Sequence, residues 1–312
     1  MLQTLFIMCF ATLTLFSHTP EERASHEYQI LLTPSYRRAC PPYITGDAFR
    51  AHCDVIMDET NETLDHPEEI PDRSAIFVGP YVMDDFFRLY HDRLPGRYVL
   101  VTHNRDYPVP GPHAKYLDDP KLIAWFSQNV EGCVHPKLIP IPIGLGNFYT
   151  SQKDLSIIDR TVHSLDQYPK DKLVYLNLSK THPERDRAIR FFMTRSFVTQ
   201  SRGKPYPAYL QDVASSKYVI SPRGNGLDCH RTWECLYLGA IPILKTSASD
   251  RMFKDLPVLI VKDWDEVTEQ FLNESYERIR SRPFRKEKLY IDYWLKLIDE
   301  AKETALPPPF EI

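Results

Sequence analysis

The chain reads as an α/β protein of two domains, each built on a parallel sheet. Three observations predict this. Its 312 residues exceed what one hydrophobic core usually serves. Strand-like and helix-like segments alternate twice, with a polar break near the middle. The segment "RYVLVTHN" is apolar through consecutive positions, the pattern of a strand covered on both faces.

In chain order, "SAIFVGP" reads as a strand and "YVMDDFFRLYHDRL" as an amphipathic helix, before the strand in "RYVLVTHN". "KLIAWFSQNV" has helical spacing, and "KLIPIPIGL" reads as a proline-punctuated strand ending in a loop. The polar stretch 149–170 is expected to be a linker. The alternation then resumes with "KLVYLNLS", the arginine-rich helix "HPERDRAIRFFMTR", "KYVISPRGNG", a further helix, "AIPILKT", "PVLIVKD" and the helix "WDEVTEQFLNESYERIR". "KEKLYIDYWLKLIDEAKE" is expected to form a helix crossing back onto the first domain, with "LPPPFEI" a tail. The expected divisions are an apolar segment 1–20, a first domain 21–160, a second domain 161–285 and the crossing helix 286–312.

The net charge of -4 provides no basic field for nucleic acid or an anionic membrane. Any anion must therefore be met by a local cluster of donors. Six cysteines (Cys9, Cys40, Cys53, Cys133, Cys229, Cys235) show no C-x-x-C pair, which argues against a zinc ribbon or disulfide framework and for buried thiols. Residues Leu2 to Phe16 are uncharged and mostly apolar. The run is short for a membrane span and matches a signal-peptide core in length, without the usual positive flank. Targeting or membrane association is the expectation, with a secretory or membrane-associated location; a buried first element in a cytoplasmic protein is the alternative.

Ligands of parallel sheets sit outside the carboxyl ends of the strands. Three polar segments fall there: "THNRD", "NLSKTHPERDR" and "SPRGNGLDCHR". In the last, Ser221 closes a strand and Gly224 and Gly226 flank Asn225. Asp228 is placed to N-cap the next helix, whose free N–H groups and dipole suit a phosphate. The pattern lacks the ending of a P-loop and the length of G-x-G-x-x-G, and taken alone the two glycines are better read as an ordinary tight turn. The helix adds more. His230, Arg231 and Glu234 occupy its first turns, while Trp233, Leu236, Tyr237 and Ala240 form the packing stripe. An arginine there is suited to a diphosphate, and a carboxylate one turn on to the hydroxyls of a ribose. A plain surface Arg–Glu pair is the alternative.

Pro222-Arg223-Gly224, Arg231-x-x-Glu234 and Gly239-x-x-Pro242, followed by "DLPVLIVKDWDEVTEQFL", resemble the donor-site signature of the exostosin-like glycosyltransferases. The resemblance covers about residues 172–272; over the first half it is architectural. It implies the GT-B arrangement of two Rossmann-like domains facing a central cleft. The first would be the acceptor side, the second the nucleotide-sugar site. The implied activity is inverting transfer of a sugar from a nucleoside diphosphate, a UDP-sugar, to a hydroxyl of a glycan or glycoconjugate. Arg223 and Arg231 would hold the diphosphate and Glu234 the ribose. A non-catalytic relative that binds sugar or nucleotide is the alternative.

In "NLSKTHPERDR", Asn177 and Ser179 end a strand and Arg185 falls near the phosphates on the resemblance, although a charge run at a helix start also simply faces water. His103 and Asp106, in "THNRDYPVPG", are the candidates for the base that deprotonates an acceptor hydroxyl, by position at a strand end, and a histidine satisfied by backbone there is the alternative. "YITGDAFRAHCD" and "IPIGLGNF" are candidates to line the acceptor side. Asp263-Trp264-Asp265 matches a metal-binding D-x-D, but reads better as an N-cap with an acidic first turn. No metal or other cofactor is expected. Asn61 and Asn273 are well-placed glycosylation sequons, and Asn177 a poorly placed one.

Overall fold

The structure is a computed structural model that describes residues 37–148 and 155–308. The apolar segment 1–20 and part of the tail lie outside the described residues. Among the described residues no helix is long and apolar enough to cross a membrane.

Two five-stranded sheets carry the fold, and every pairing in both is parallel. The first contains β1 (Val55–Met57), β2 (Ser74–Val78), β3 (Tyr98–Thr102), β4 (Leu122–Ser127) and β5 (Leu138–Pro140), in that spatial order. The second contains β6 (Lys172–Leu176), β7 (Val198–Gln200), β8 (Ser216–Ile220), β9 (Ile241–Lys245) and β10 (Leu259–Val261), in the order β10-β9-β8-β6-β7. These are two Rossmann-like α/β domains. The first sheet winds one way only. In the second the chain steps from β6 to β7 and then returns past β6 to β8. The switch point between β6 and β8 opens a crevice at their carboxyl ends.

The apolar runs explain the layering. In β2, Ala75 and Phe77 face one core cluster while Ile76 and Val78 face another. In the second sheet, Tyr175 and Val219 join the first cluster, whereas Val174, Leu176, Tyr218 and Ile220 face outward into a third. A single buried cluster therefore spans both domains, joining Phe77, Val101 and Phe126 to Tyr175, Val219 and Trp233.

The helices that bear on the site are α1 (Gly46–His52), α2 (Leu155–Val162), α3 (Pro183–Phe192), α4 (Tyr206–Ala214), α5 (His230–Tyr237), α6 (Glu269–Arg280) and α7 (Ile291–Thr304). Helix α5 stops where Gly239 adopts a left-handed φ of 66°, a conformation that glycine reaches without strain. Helix α7 buries Ile291, Trp294, Ile298 and Ala301, a helical stripe, and packs against α1, β2, β3 and β4. Lys302 pairs with Asp54 at 2.7 Å and His52 with Asp299 at 2.8 Å along the same contact.

Three sequence expectations change. Leu122–Ser127 is a strand, not a helix, and all six residues are buried. An apolar run buried on both faces carries no period that separates the two forms. The expected linker contains α2, which buries Ile158 and Thr161. Asn177 to Ser179 lie just past β6 rather than within it. Asp263 does cap a short turn, Trp264–Glu266, through a reciprocal capping box with Glu266.

Candidate functional site

A cleft of about 980 Å³ opens at the β6/β8 switch point. From the second domain it is lined by Asn177, Ser179, Arg185, Gly224, Asn225, Gly226, His230, Arg231 and Glu234. Asp106 and Ile143 come from the first. Segments distant in sequence converge because strand ends and helix starts meet at one edge of the sheet.

Arg231 is the central cation. Its Nη2 donates to the Asn177 carbonyl at 2.8 Å. Among the described residues its Nε and Nη1 are covered from solvent and have no acceptor, although Glu234 lies one turn on. A buried donor left unsatisfied costs about 1–3 kcal/mol, more when charged, so this arrangement favours an incoming anion. Arg185 is held by Ser179 Oγ at 3.0 Å and the Arg223 carbonyl at 3.2 Å, and it also donates to Cys229 Sγ at 3.4 Å. Helix α5 begins beside them with Cys229 as its N-cap and no side-chain cap, leaving the positive end of the dipole toward the cleft.

Glu234 is buried. Tyr209 donates to its Oε2 at 2.8 Å and Tyr206 to its Oε1 at 3.2 Å. Burial, and then the Glu234 charge, hold the Tyr209 phenol well above its usual range. It is a donor at neutral pH. Both tyrosines line the cleft with Lys204 and Pro205. Reading the sequence missed them, yet "PYPAYL" sets two tyrosines three apart on one helix face.

Asp106 faces this cluster from the first domain. Asp106 is exposed at the cleft mouth, and the protein packed around it raises its carboxyl above the usual range, against a hydrogen bond from Asn225 and the charges of Arg105 and Arg185. His103 is elsewhere. It is buried, its Nδ1 accepts the Asn104 N–H at 2.7 Å and its Nε2 donates to the Pro142 carbonyl at 3.0 Å. Burial lowers it to about 4. A neutral ring with both nitrogens engaged in the core is a structural histidine, and it does not line the cleft.

Three other expected residues do not line the cleft, and two of them, Asp228 and Arg223, hold the domains together. Asp228 Oδ2 accepts Ile143 N–H from the first domain at 2.8 Å and Trp233 Nε1 at 2.7 Å, while Oδ1 accepts Cys229 N–H at 2.8 Å. It sits one position before the N-cap, so it is not the cap itself. Arg223 pairs with Glu131 of the first domain at 2.8 Å. Ser221 Oγ meets Thr232 Oγ1 at 3.0 Å in the interior. His230 does line the cleft, with Nδ1 donating to the Gly144 carbonyl at 2.8 Å. In the two segments expected to line the acceptor side, Asn147 bonds Asn104 at 2.8 Å and the Asp47 N–H at 2.9 Å, tying α1 to the β3 end.

Fold and cleft together define a two-domain α/β protein with an anion-receptive crevice at the switch point of its second sheet. No protein-family model matches the chain, and no curated protein matches it. Among solved structures it is similar to the UDP-GlcNAc 2-epimerase of Methanocaldococcus jannaschii at 10% identity, over 77% of this chain and 79% of that one, with a TM-score of 0.37. It is also similar to the pneumococcal O-GlcNAc transferase GtfA, solved with UDP and GlcNAc, at 11% identity over 72% and 56% of the two chains, TM-score 0.35. A third is the sucrose-phosphate synthase of Thermosynechococcus elongatus, at 10% identity over 75% and 69%, TM-score 0.34. Likenesses this weak say nothing of chemistry; the architecture stands on the strand pairing itself.

Proposed function

We propose that the protein is an inverting glycosyltransferase of exostosin-like type. It takes a sugar from a nucleoside diphosphate, a UDP-sugar, and passes it to a hydroxyl of a glycan or glycoconjugate. The observation that carries the reading is Arg231, whose Nε and Nη1 lack acceptors among the described residues, at a cleft shared with Arg185 and the start of α5. This is the donor set that a diphosphate leaving group requires.

In this reading Asp106 takes the proton of the acceptor hydroxyl as its oxygen bonds to the anomeric carbon. The bond from that carbon to the diphosphate breaks, and its electron pair leaves with the phosphate oxygen. Arg231, Arg185 and the α5 N-terminus meet the charge that develops there. Fixed donors aimed at developing charge are usually the largest catalytic contribution, so departure in this reading needs no metal. Glu234 receives the ribose hydroxyls. Association with a membrane or secretory compartment through the apolar N-terminus remains part of the proposal.

A panel of nucleoside diphosphates and their sugars tests it, by calorimetric binding and by donor hydrolysis. Binding of one diphosphate, with slow hydrolysis of its sugar, is the expected result. Binding without turnover under any acceptor condition would make the protein a non-catalytic binder. No binding by any diphosphate overturns the reading.

A further inference from the structure

We infer that Asn129 is a positioning residue that sets the Asp106 turn of the first domain against the glycine turn of the second, an inference that rests on the base role proposed for Asp106 above. Asn129 follows β4 and is buried, 2% exposed. Its Nδ2 donates to the Arg105 carbonyl, one residue before Asp106, at 2.9 Å. Its Oδ1 accepts the Leu227 N–H of the second domain at 3.1 Å. Gly226 lies so close that a Cβ on it would stand 2.6 Å from that oxygen. One short side chain thus spans both turns.

The two partners call for an amide. A carbonyl only accepts and an N–H only donates, so the side chain needs its donor end toward one domain and its acceptor end toward the other. Aspartate would set an oxygen against the Arg105 carbonyl. Leucine, of similar volume, would take a hydrogen bond from two backbone groups at once. The backbone of Asn129 is fixed as well. Its carbonyl accepts the Val109 N–H at 2.8 Å, and the Val109 carbonyl accepts the Glu131 N–H at 2.9 Å. Glu131 in turn holds Arg223, so this segment meets the second domain twice.

The Asp106 turn depends on such support. Asn104 adopts a left-handed φ of 70°, which asparagine enters more readily than most residues but still at a cost. Gln128 holds the turn from within the first domain. Its Oε1 accepts the Asn104 N–H at 2.9 Å and its Nε2 donates to the Arg105 carbonyl at 2.8 Å. Asn129 grips the same carbonyl and reaches across. Asn225, two residues before Leu227, bonds Asp106 itself. The links from Arg105 through Asn129 to Leu227, and from Asp106 to Asn225, close a ring through both turns. The base and the Arg185 hook, held by the Arg223 carbonyl, therefore share one frame. Displacing a reacting group by about 1 Å can cost about 100-fold in rate.

The test compares wild type with Asn129→Leu and with Gly226→Ala, which attacks the same contact from the second domain and leaves the first intact. The measurements are single-turnover transfer across pH, calorimetry with UDP, and a carbon NMR titration of the Asp106 carboxyl. Asn129→Leu is expected to lose about 10- to 100-fold in transfer while keeping its UDP affinity. The surroundings of Asp106 raise its carboxyl on balance, burial outweighing Asn225, Arg105 and Arg185. Freeing the turn should therefore move its titration, and the acidic limb of the rate profile, to lower pH in both variants. Where Asn129→Leu does not fold, Gly226→Ala decides. Normal transfer in the variants overturns the inference, as does an Asp106 titration that stays at its wild-type position. Equal losses of transfer and UDP affinity would make Asn129 a simple prop and also overturn it. If wild type transfers sugar from no donor, the base reading itself fails, a different result, and the Asp106 titration still decides whether Asn129 ties the turns together.

Discussion

Gly224 lies directly against the Arg185 guanidinium: a Cβ placed on it would stand 2.7 Å from Arg185 Nη2. The glycine is there for close approach. The neighbouring Gly226 has the same relation to Asn129 of the first domain, with 2.6 Å from a Cβ to Oδ1. The two glycines let one turn touch a cation on one side and the partner domain on the other.

Gly224→Ala should therefore displace Arg185 with little cost to folding, since the obstructing atom ends a flexible side chain. The expected change in stability is below about 1 kcal/mol, with a loss of diphosphate affinity of about tenfold. Titration calorimetry beside a urea melt checks both. Unchanged affinity would remove Arg185 from the site.

Arg231→Met should separate binding from stability more sharply. The unliganded protein loses a charge whose Nε and Nη1 have no acceptor among the described residues, so its stability is expected to stay level or rise. Diphosphate affinity is expected to fall about 100-fold. A variant that unfolds at lower denaturant yet binds normally would reverse the assignment.

Asp228 predicts a pH effect. Burial raises its carboxyl from 3.8 to about 6, against hydrogen bonds from Ile143, Trp233 and Cys229. Between those values the folded state holds the proton and the unfolded state has released it. This group therefore favours folding below about pH 4, and its contribution declines as pH rises toward 6. The difference in stability between wild type and Asp228→Asn should fall by on the order of 3 kcal/mol from pH 4 to pH 7. Denaturant melts across that range measure it. A flat difference would mean that Asp228 does not titrate there.

His103 predicts the opposite slope. Burial lowers it from 6.5 to about 4. Its contribution is whole above pH 6.5 and is lost as pH falls toward 4, because the unfolded state takes up the proton first. His103→Gln should remove about 3 kcal/mol of acid sensitivity, visible as a flatter stability profile. Wild-type sensitivity in the variant would count against it.

Asp106→Asn addresses the proton transfer. Loss of a general base typically costs about 100- to 10,000-fold in turnover, with diphosphate binding retained. The pair of measurements is single-turnover transfer and calorimetry. Near-normal transfer would exclude Asp106 as the base.

Sequence alone was enough to read the alternating layers and most of the crevice. Asn177, Ser179, Arg185, Gly224 to Gly226, His230, Arg231 and Glu234 all sit at strand ends or helix starts, and parallel sheets gather such positions at one edge. It was not enough for Leu122–Ser127, where burial on both faces erases the periodic signal that tells strand from helix.

Roles within the site were decided by tertiary structure, because they depend on partners far away in the chain. Arg223 and Asp228 looked like ligand residues, but their acceptors and donors are Glu131 and Ile143 of the other domain. His103 stands near Asp106 in sequence, yet its backbone partners turn the ring into the core. Tyr206 and Tyr209 carried no motif, and only the packing of α4 beside α5 brings them to Glu234. Local residue patterns determine which elements form and which of their ends are polar. Which polar groups find a protein partner, and which are left facing the cleft, is settled only when the two sheets pack against each other.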